Sequence, residues 1–137
     1  MTRPKLWTKD FLLVASTNLF IFLCFYSLMV TLTVYTMDKF HTSASIAGLA
    51  SSIFVIGAVL VRPLAGKKLA LIGPKKMLVA SLCVFFASTL LYFAADNLIL
   101  LLGLRLIHGA AFGVSSTATG TIVAEIIPPS RRGEGMG

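Results

Sequence analysis

Apolar residues dominate this chain in four long runs: Phe11–Tyr35, Ser45–Leu64, Met77–Ala94 and Leu98–Ile127. A helix needs about 20 predominantly apolar residues to cross the hydrocarbon core of a bilayer, and each run approaches or exceeds that length. Such runs are too long for strands or for ordinary buried helices. The pattern predicts an all-α polytopic membrane protein with four transmembrane helices. Polar and turn-forming residues mark the connections at Asp38–Ser43, Gly66–Lys76 and Ala94–Asn97, and Pro128-Pro129 stops the last helix. Arg62-Pro63 is expected to close the second helix, because the arginine can snorkel and the proline limits continuation.

Composition strengthens this picture. Of the 137 residues, 57% are hydrophobic and only 12% charged, against about a quarter charged in a water-soluble domain. The net charge of +7 might point to nucleic acid, but its distribution argues against that partner. Arg3, Lys5 and Lys9 precede the first run, and Arg62, Lys67, Lys68, Lys75 and Lys76 lie at or between the second and third. Arg131 and Arg132 follow the fourth, whereas the other two connections hold only Lys39. Basic connections stay on the cytoplasmic side of a membrane, so both termini are expected there. The lipid bilayer is the first implied partner and the cell membrane the expected location. The first run is longer than a signal-peptide core and no cleavage site clearly follows it, so it reads as an uncleaved helix. Cys24 and Cys83 lie inside runs and lack metal-ligand spacing. No metal site, cofactor loop or nucleophile–base pair is evident, so an enzyme is not expected.

Candidate chemistry centres on Arg105, the one charge embedded well inside a run. A cation at the centre of a helix costs about 2.5–3.5 kcal/mol on insertion scales and usually faces an interior or an aqueous cavity. Its structural alternatives are snorkelling and bracing a neighbouring carbonyl. Gly109, Phe112, Ser116 and Thr119 fall within about 40° of Arg105 on a helical wheel, with His108 to one side. That face offers a cation, an aromatic ring and two hydroxyls, which suits a path for a small-molecule substrate or an ion. On the first helix, Asn18, Phe22, Tyr26 and Met29 make a mixed polar and aromatic face. Asn18, Tyr26, Phe112, Ser116 and Thr119 are the cavity-lining candidates, although helix–helix contact explains the same pattern.

The segment Leu101-Leu102-Gly103-Leu104-Arg105-Leu106-Ile107-His108-Gly109 resembles the fourth-helix motif of the major facilitator superfamily. There a leucine precedes an arginine by four positions, and a polar residue and a glycine follow; His108 stands where glutamine is more usual. The segment Gly66-Lys67-Lys68-Leu69-Ala70-Leu71-Ile72-Gly73-Pro74-Lys75 is similar to the superfamily's loop motif between helices two and three. It keeps Gly66, Gly73 and Lys75 but carries Ala70, Leu71 and Pro74 in place of an aspartate and two arginines. Ile126–Glu134 resembles the start of the loop before helix five.

This resemblance implies the first part of a twelve-helix fold, with residues 1–137 as an N-terminal portion truncated before helix five and the remaining helices missing. The nearest flavour is the drug:proton antiporter group, a secondary active exporter with protons as coupling ion and no cofactor. It further implies that Arg105, with His108 and Gly109, serves proton coupling. The Gly66, Gly73 and Lys75 motif would act with Glu125 in closing the inner side. Glu125 lacks its usual partners, and Lys75, Lys76 or Arg131 are the candidates to replace them. Four helices leave nothing to rock against, so this polypeptide alone is not expected to transport. The alternative is a stand-alone four-helix membrane assembly or regulatory protein.

Overall fold

A computed structural model describes residues 5–135; Arg3, counted above among the basic residues, lies outside that range. Four helices follow one another: α1 (Lys9–Phe40), α2 (Ala44–Ile72), α3 (Pro74–Leu91, prolonged by a 3₁₀ turn Tyr92–Ala94) and α4 (Leu98–Ile126). A 3₁₀ turn at Pro129–Arg131 and a single helical turn at Arg132–Gly135 follow. All four helices are long and apolar enough to cross a membrane.

Local chemistry sets the ends. Thr8 caps α1, its hydroxyl accepting from the Phe11 amide at 3.2 Å, and Ser43 and Asn97 do the same for α2 and α4 through Ile46 and Leu100. Such caps satisfy backbone donors that have no partner within the helix. His41, expected as a plain loop residue, ends α1 in the left-handed conformation (φ 46°). Gly73 turns α2 into α3 at φ 94°, a conformation that a glycine adopts without the clash a Cβ would bring.

Two expectations from sequence need correction. Helices α1 and α2 run past their expected ends, and α2 continues through Pro63 to Ile72. Pro63 removes one backbone donor, but a membrane helix packed against neighbours tolerates that loss. The stretch Gly66–Ile72, expected as a loop, is therefore helix, and the connection shrinks to Gly73.

Helix α4 is the hub of the bundle. Half of its most apolar window is buried, against 17–28% for the other three helices. Its closest neighbour is α2. A Cβ on Gly109 would run into the Phe54 backbone, one on Gly113 into Ala58, and one on Gly57 into the Leu106 carbonyl. Arg105 meets Ala50, so steps of four along α4 (105, 109, 113) match steps of four along α2 (50, 54, 58). The two helices therefore run parallel and side by side. Small residues let backbones approach where no hydrophobic force separates helix from lipid.

Apolar layers then fill the bundle, with a further small cluster of Leu6, Phe11 and Ile127 at the basic end. Leu32, Tyr92, Leu101 and Leu104 pack near the end that carries Lys39. Ile21, Phe54, Phe85 and Phe112 form the middle, and Val14, Leu69, Leu78 and Ile122 the basic end. Lys39 secures the far end: its Nζ donates to the Ala95 carbonyl and to Tyr35 Oη, each at 2.8 Å.

The Gly109→Ala variant is expected to lose about 1–3 kcal/mol through overpacking. Gly103→Ala, where a Cβ meets nothing, should be neutral or gain up to about 1 kcal/mol of helix propensity. Thermal unfolding in detergent micelles checks the pair.

Candidate functional site: a sealed cation network and an open cavity

The expected polar residues divide between two places. The first lies around Arg105, which is fully buried between α2 and α4. Its Nε donates to the Ala50 carbonyl at 2.8 Å, and its guanidinium carbon sits 4.5 Å from the centre of the Phe54 ring. A desolvated cation over an aromatic face gains about 2 kcal/mol. Neither Nη1 nor Nη2 has a hydrogen-bond partner among the described residues. Arg105 thus braces a neighbouring helix.

His108, one turn further along, is also fully buried. Its Nδ1 lies 2.7 Å from Tyr92 Oη and its Nε2 lies 3.4 Å from Thr89 Oγ1. Thr89 has one hydroxyl proton, which it donates to the Phe85 carbonyl at 2.9 Å. The Thr89 oxygen must therefore accept from the histidine. That assigns the proton to Nε2 and makes Nδ1 the acceptor for the tyrosine hydroxyl. Phe85 packs its ring against the imidazole at 4.2 Å. Arg105 and His108 stand three residues apart on α4 and so share a face, and Tyr92 and Thr89 bond the histidine, so the four groups form one polar cluster.

The second place is a cavity of about 640 Å³ between α1 and α4, at the basic end of the bundle. Asn18, Ser116, Thr117 and Thr119 give it hydroxyls and an amide, Phe11 and Phe22 an aromatic wall, and Arg62 a cation. The Asn18 amide and the Thr119 hydroxyl meet at 3.0 Å, and that hydroxyl also lies 3.0 Å from the Ser116 carbonyl. Ser116 is eleven residues beyond Arg105, about 16 Å along the helix. The cation cluster and the cavity are therefore separate.

Asn18, Ser116 and Thr119 come together at this cavity. Phe112 and Tyr26 do not join them. Phe112 is buried in a ring cluster with Phe22, Phe25 and Phe54 at 5.1–5.4 Å, and Tyr26 is exposed on the outer face of α1 beside Phe25. Gly109 serves the α2–α4 contact. Gly66 lies exposed within α2, Gly73 forms the turn, and Lys75 is exposed in the first turn of α3. Glu125 is exposed at the end of α4 without an ion pair among the described residues, and Arg131 pairs instead with Glu134 at 2.6 Å. The proposed substitution of Arg131 for the missing partner of Glu125 is thereby corrected: Glu134, three residues away on the same turn, is closer.

Several contributors were missed in the sequence, Thr117 and Phe11 of the cavity wall among them. Thr89 and Tyr92 stand three apart on one helix, so they share a face; a buried histidine opposite them was the available signal. Arg62 looked like an interfacial anchor because α2 was expected to end there. Ala50 left no signal, since its contribution is a backbone carbonyl.

A family model, that of the Major Facilitator Superfamily, matches residues 14–137. The chain belongs to this superfamily and is a multi-pass membrane protein of a transporter family. It is 29% identical over 102 residues to monosaccharide-sensing protein 3 of Arabidopsis thaliana, a match covering 73% of this chain and 14% of that protein. It is 27% identical over 101 residues to monosaccharide-sensing protein 1 of the same plant, covering 74% and 14%. The chain thus spans about one seventh of the length of these relatives. No solved structure matches it.

His108→Leu strands the Tyr92 hydroxyl without its partner, and the fold should lose about 1–3 kcal/mol. His108→Gln can accept from Tyr92 and donate to Thr89, so it should recover most of that loss. Denaturation of both variants in micelles distinguishes them.

Proposed function

We propose that this chain forms one wall of the solute path of a proton-coupled secondary transporter in the cell membrane, with both termini cytoplasmic. The observation that carries the reading is the cavity between α1 and α4. Its volume of about 640 Å³ falls within the roughly 300–1,000 Å³ of small-molecule sites. Asn18, Ser116, Thr117 and Thr119 can hydrogen-bond a hydroxyl-rich solute, and Phe11 and Phe22 can pack against a sugar ring. The names of the two plant relatives support a monosaccharide as the first solute to try. A second reading, export of amphipathic compounds against protons, rests on the same aromatic wall.

Arg105 is the proposed centre of proton coupling. A guanidinium stays charged and cannot carry the proton, but it can set the affinity of a nearby acidic group for one. Its two Nη groups, buried without a hydrogen-bond partner among the described residues, support such a role; a carboxylate on the remaining helices of the transporter is the partner proposed, reached when α2 and α4 move apart. The residues Gly66, Gly73, Lys75 and Glu125 are proposed to act at the cytoplasmic side, where α2 and α4 end and α3 begins.

Trp7, the single tryptophan of the chain, packs its ring 5.5 Å from Phe11 at the cavity wall. Its fluorescence should change saturably as glucose is titrated into the reconstituted chain. Asn18→Ala and Thr119→Val should each weaken binding about three- to tenfold, the worth of one hydrogen bond. A response to a lipophilic cation alone would favour export of amphipathic compounds, and no saturable response to either would end the cavity reading. Coupling is tested by Arg105→Ala in the polypeptide that carries this segment. Proton-driven flux should fall by at least about tenfold, the cost of a lost buried charge contact, and unchanged flux in a folded mutant rejects the role.

A further inference from the structure

The turn between α2 and α3 departs from a normal helix surface. Ala65 and Leu69 are buried against the bundle, at 1% and 5% exposure, while the opposite face of the same turns carries Leu64, Lys67, Lys68 and Leu71. Leu64 and Leu71 are 61% and 85% exposed, and both lysines are exposed. Lys75 and Lys76 follow on the first turn of α3, also exposed. Leu69 and Leu78 pack in one layer with Ile122, so at 1.5 Å per residue the two pairs of lysines differ by only about 6 Å in depth. At 29 residues α2 is about 43 Å long, against a hydrocarbon core of about 30 Å, which puts the ends of the bundle at headgroup level.

No carboxylate falls between Lys67 and Lys76, and none of the four lysines has an ion pair among the described residues. No side chain caps the start of α3, so its first backbone donors add positive potential at the same place. Four uncompensated ammonium groups beside two exposed leucines match one chemistry: an anionic phosphate headgroup with its acyl chains alongside.

We propose that the α2–α3 turn is a binding site for an anionic phospholipid of the adjacent leaflet. Lys67, Lys68, Lys75 and Lys76 hold the phosphate, and Leu64 and Leu71 lie along the acyl chains. Occupancy ties the end of α2 to the start of α3 by bridging the two lysine pairs. Basic residues at a membrane surface each favour anionic lipid by about fivefold, so four on one face should select strongly.

Native mass spectrometry of the purified chain, taken from micelles holding phosphatidylglycerol and phosphatidylcholine with matched acyl chains, reads the selection directly. The wild type should retain phosphatidylglycerol in preference by about tenfold or more. Combined Lys67→Gln, Lys68→Gln, Lys75→Gln and Lys76→Gln substitution should bring the two lipids to parity. Lys5→Gln with Lys9→Gln should keep the preference. Should the four-lysine variant fail to fold, the wild type still decides, because its preference must collapse at high salt as the screening length falls from about 10 Å at 0.1 M to about 3 Å at 1 M. Selection that survives the four substitutions, survives high salt, or is lost equally in the Lys5 and Lys9 variant overturns the site. Displacement of the lipid by millimolar inorganic phosphate would assign the face to a free anion. An acidic polypeptide that co-purifies and excludes the lipid would assign it to a protein. Either result overturns the lipid proposal.

Discussion

The backbone contact between α2 and α4 is the constraint on which the rest of the bundle depends. Lipid is as apolar as a leucine side chain, so burial alone does not join two helices in a membrane. Close approach does, and here it requires Gly57, Gly109 and Gly113 where any Cβ would collide with the opposite helix. Once the two helices lie in register, the Ala50 carbonyl comes within 2.8 Å of Arg105 Nε. The same register puts Phe54 beneath the guanidinium and between it and Phe25. A buried cation is thereby accommodated by a geometry that exists for packing reasons. Helices α1 and α3 complete the arrangement by packing against further faces of α4.

The polar chemistry of α4 is consequently divided along its length. Toward the Lys39 end, Arg105, His108 and Tyr92 are buried beside Phe54 and Phe85 with Thr89 half-buried at the edge, and low local dielectric strengthens the interactions among them. Toward the basic end, α1 and α4 still touch through Phe11, Val14, Ala118 and Ile127, and Asn18, Ser116, Thr117 and Thr119 line an open cavity beside that contact. One helix therefore carries a buried charged cluster and one wall of an open cavity.

The α2–α3 turn shows how a change of side chains alters a surface without altering the turn. Gly73 supplies the positive φ and Pro74 opens α3, so the reversal is retained. Ala70 and Leu71 stand where the resemblance places an aspartate and an arginine, and α2 stays helical to its end. What remains is a strip of cations with no counter-charge of its own, next to two leucines that protein does not cover.

Length and hydropathy alone determined that the chain is a four-helix membrane protein, because the thickness of the bilayer fixes how long an apolar helix must be. The sequence likewise exposed Arg105 as exceptional, since a charge inside such a run carries an insertion cost. Helical periodicity placed Asn18 on the cavity side of α1 and Ser116 with Thr119 on the cavity side of α4. Tyr26 shares that arc of α1 but is exposed and apart from this cavity, while Phe25 packs inward against Phe54 and Phe112. Only the tertiary structure decided that Arg105 is sealed rather than cavity-facing, and that His108 bonds Tyr92 and Thr89. A helical wheel gives an angle about one axis, whereas burial depends on which helix occupies that angle and how near it comes. The decisive partner of Arg105 was a backbone carbonyl on α2, and a carbonyl is the same at every residue until the fold selects one.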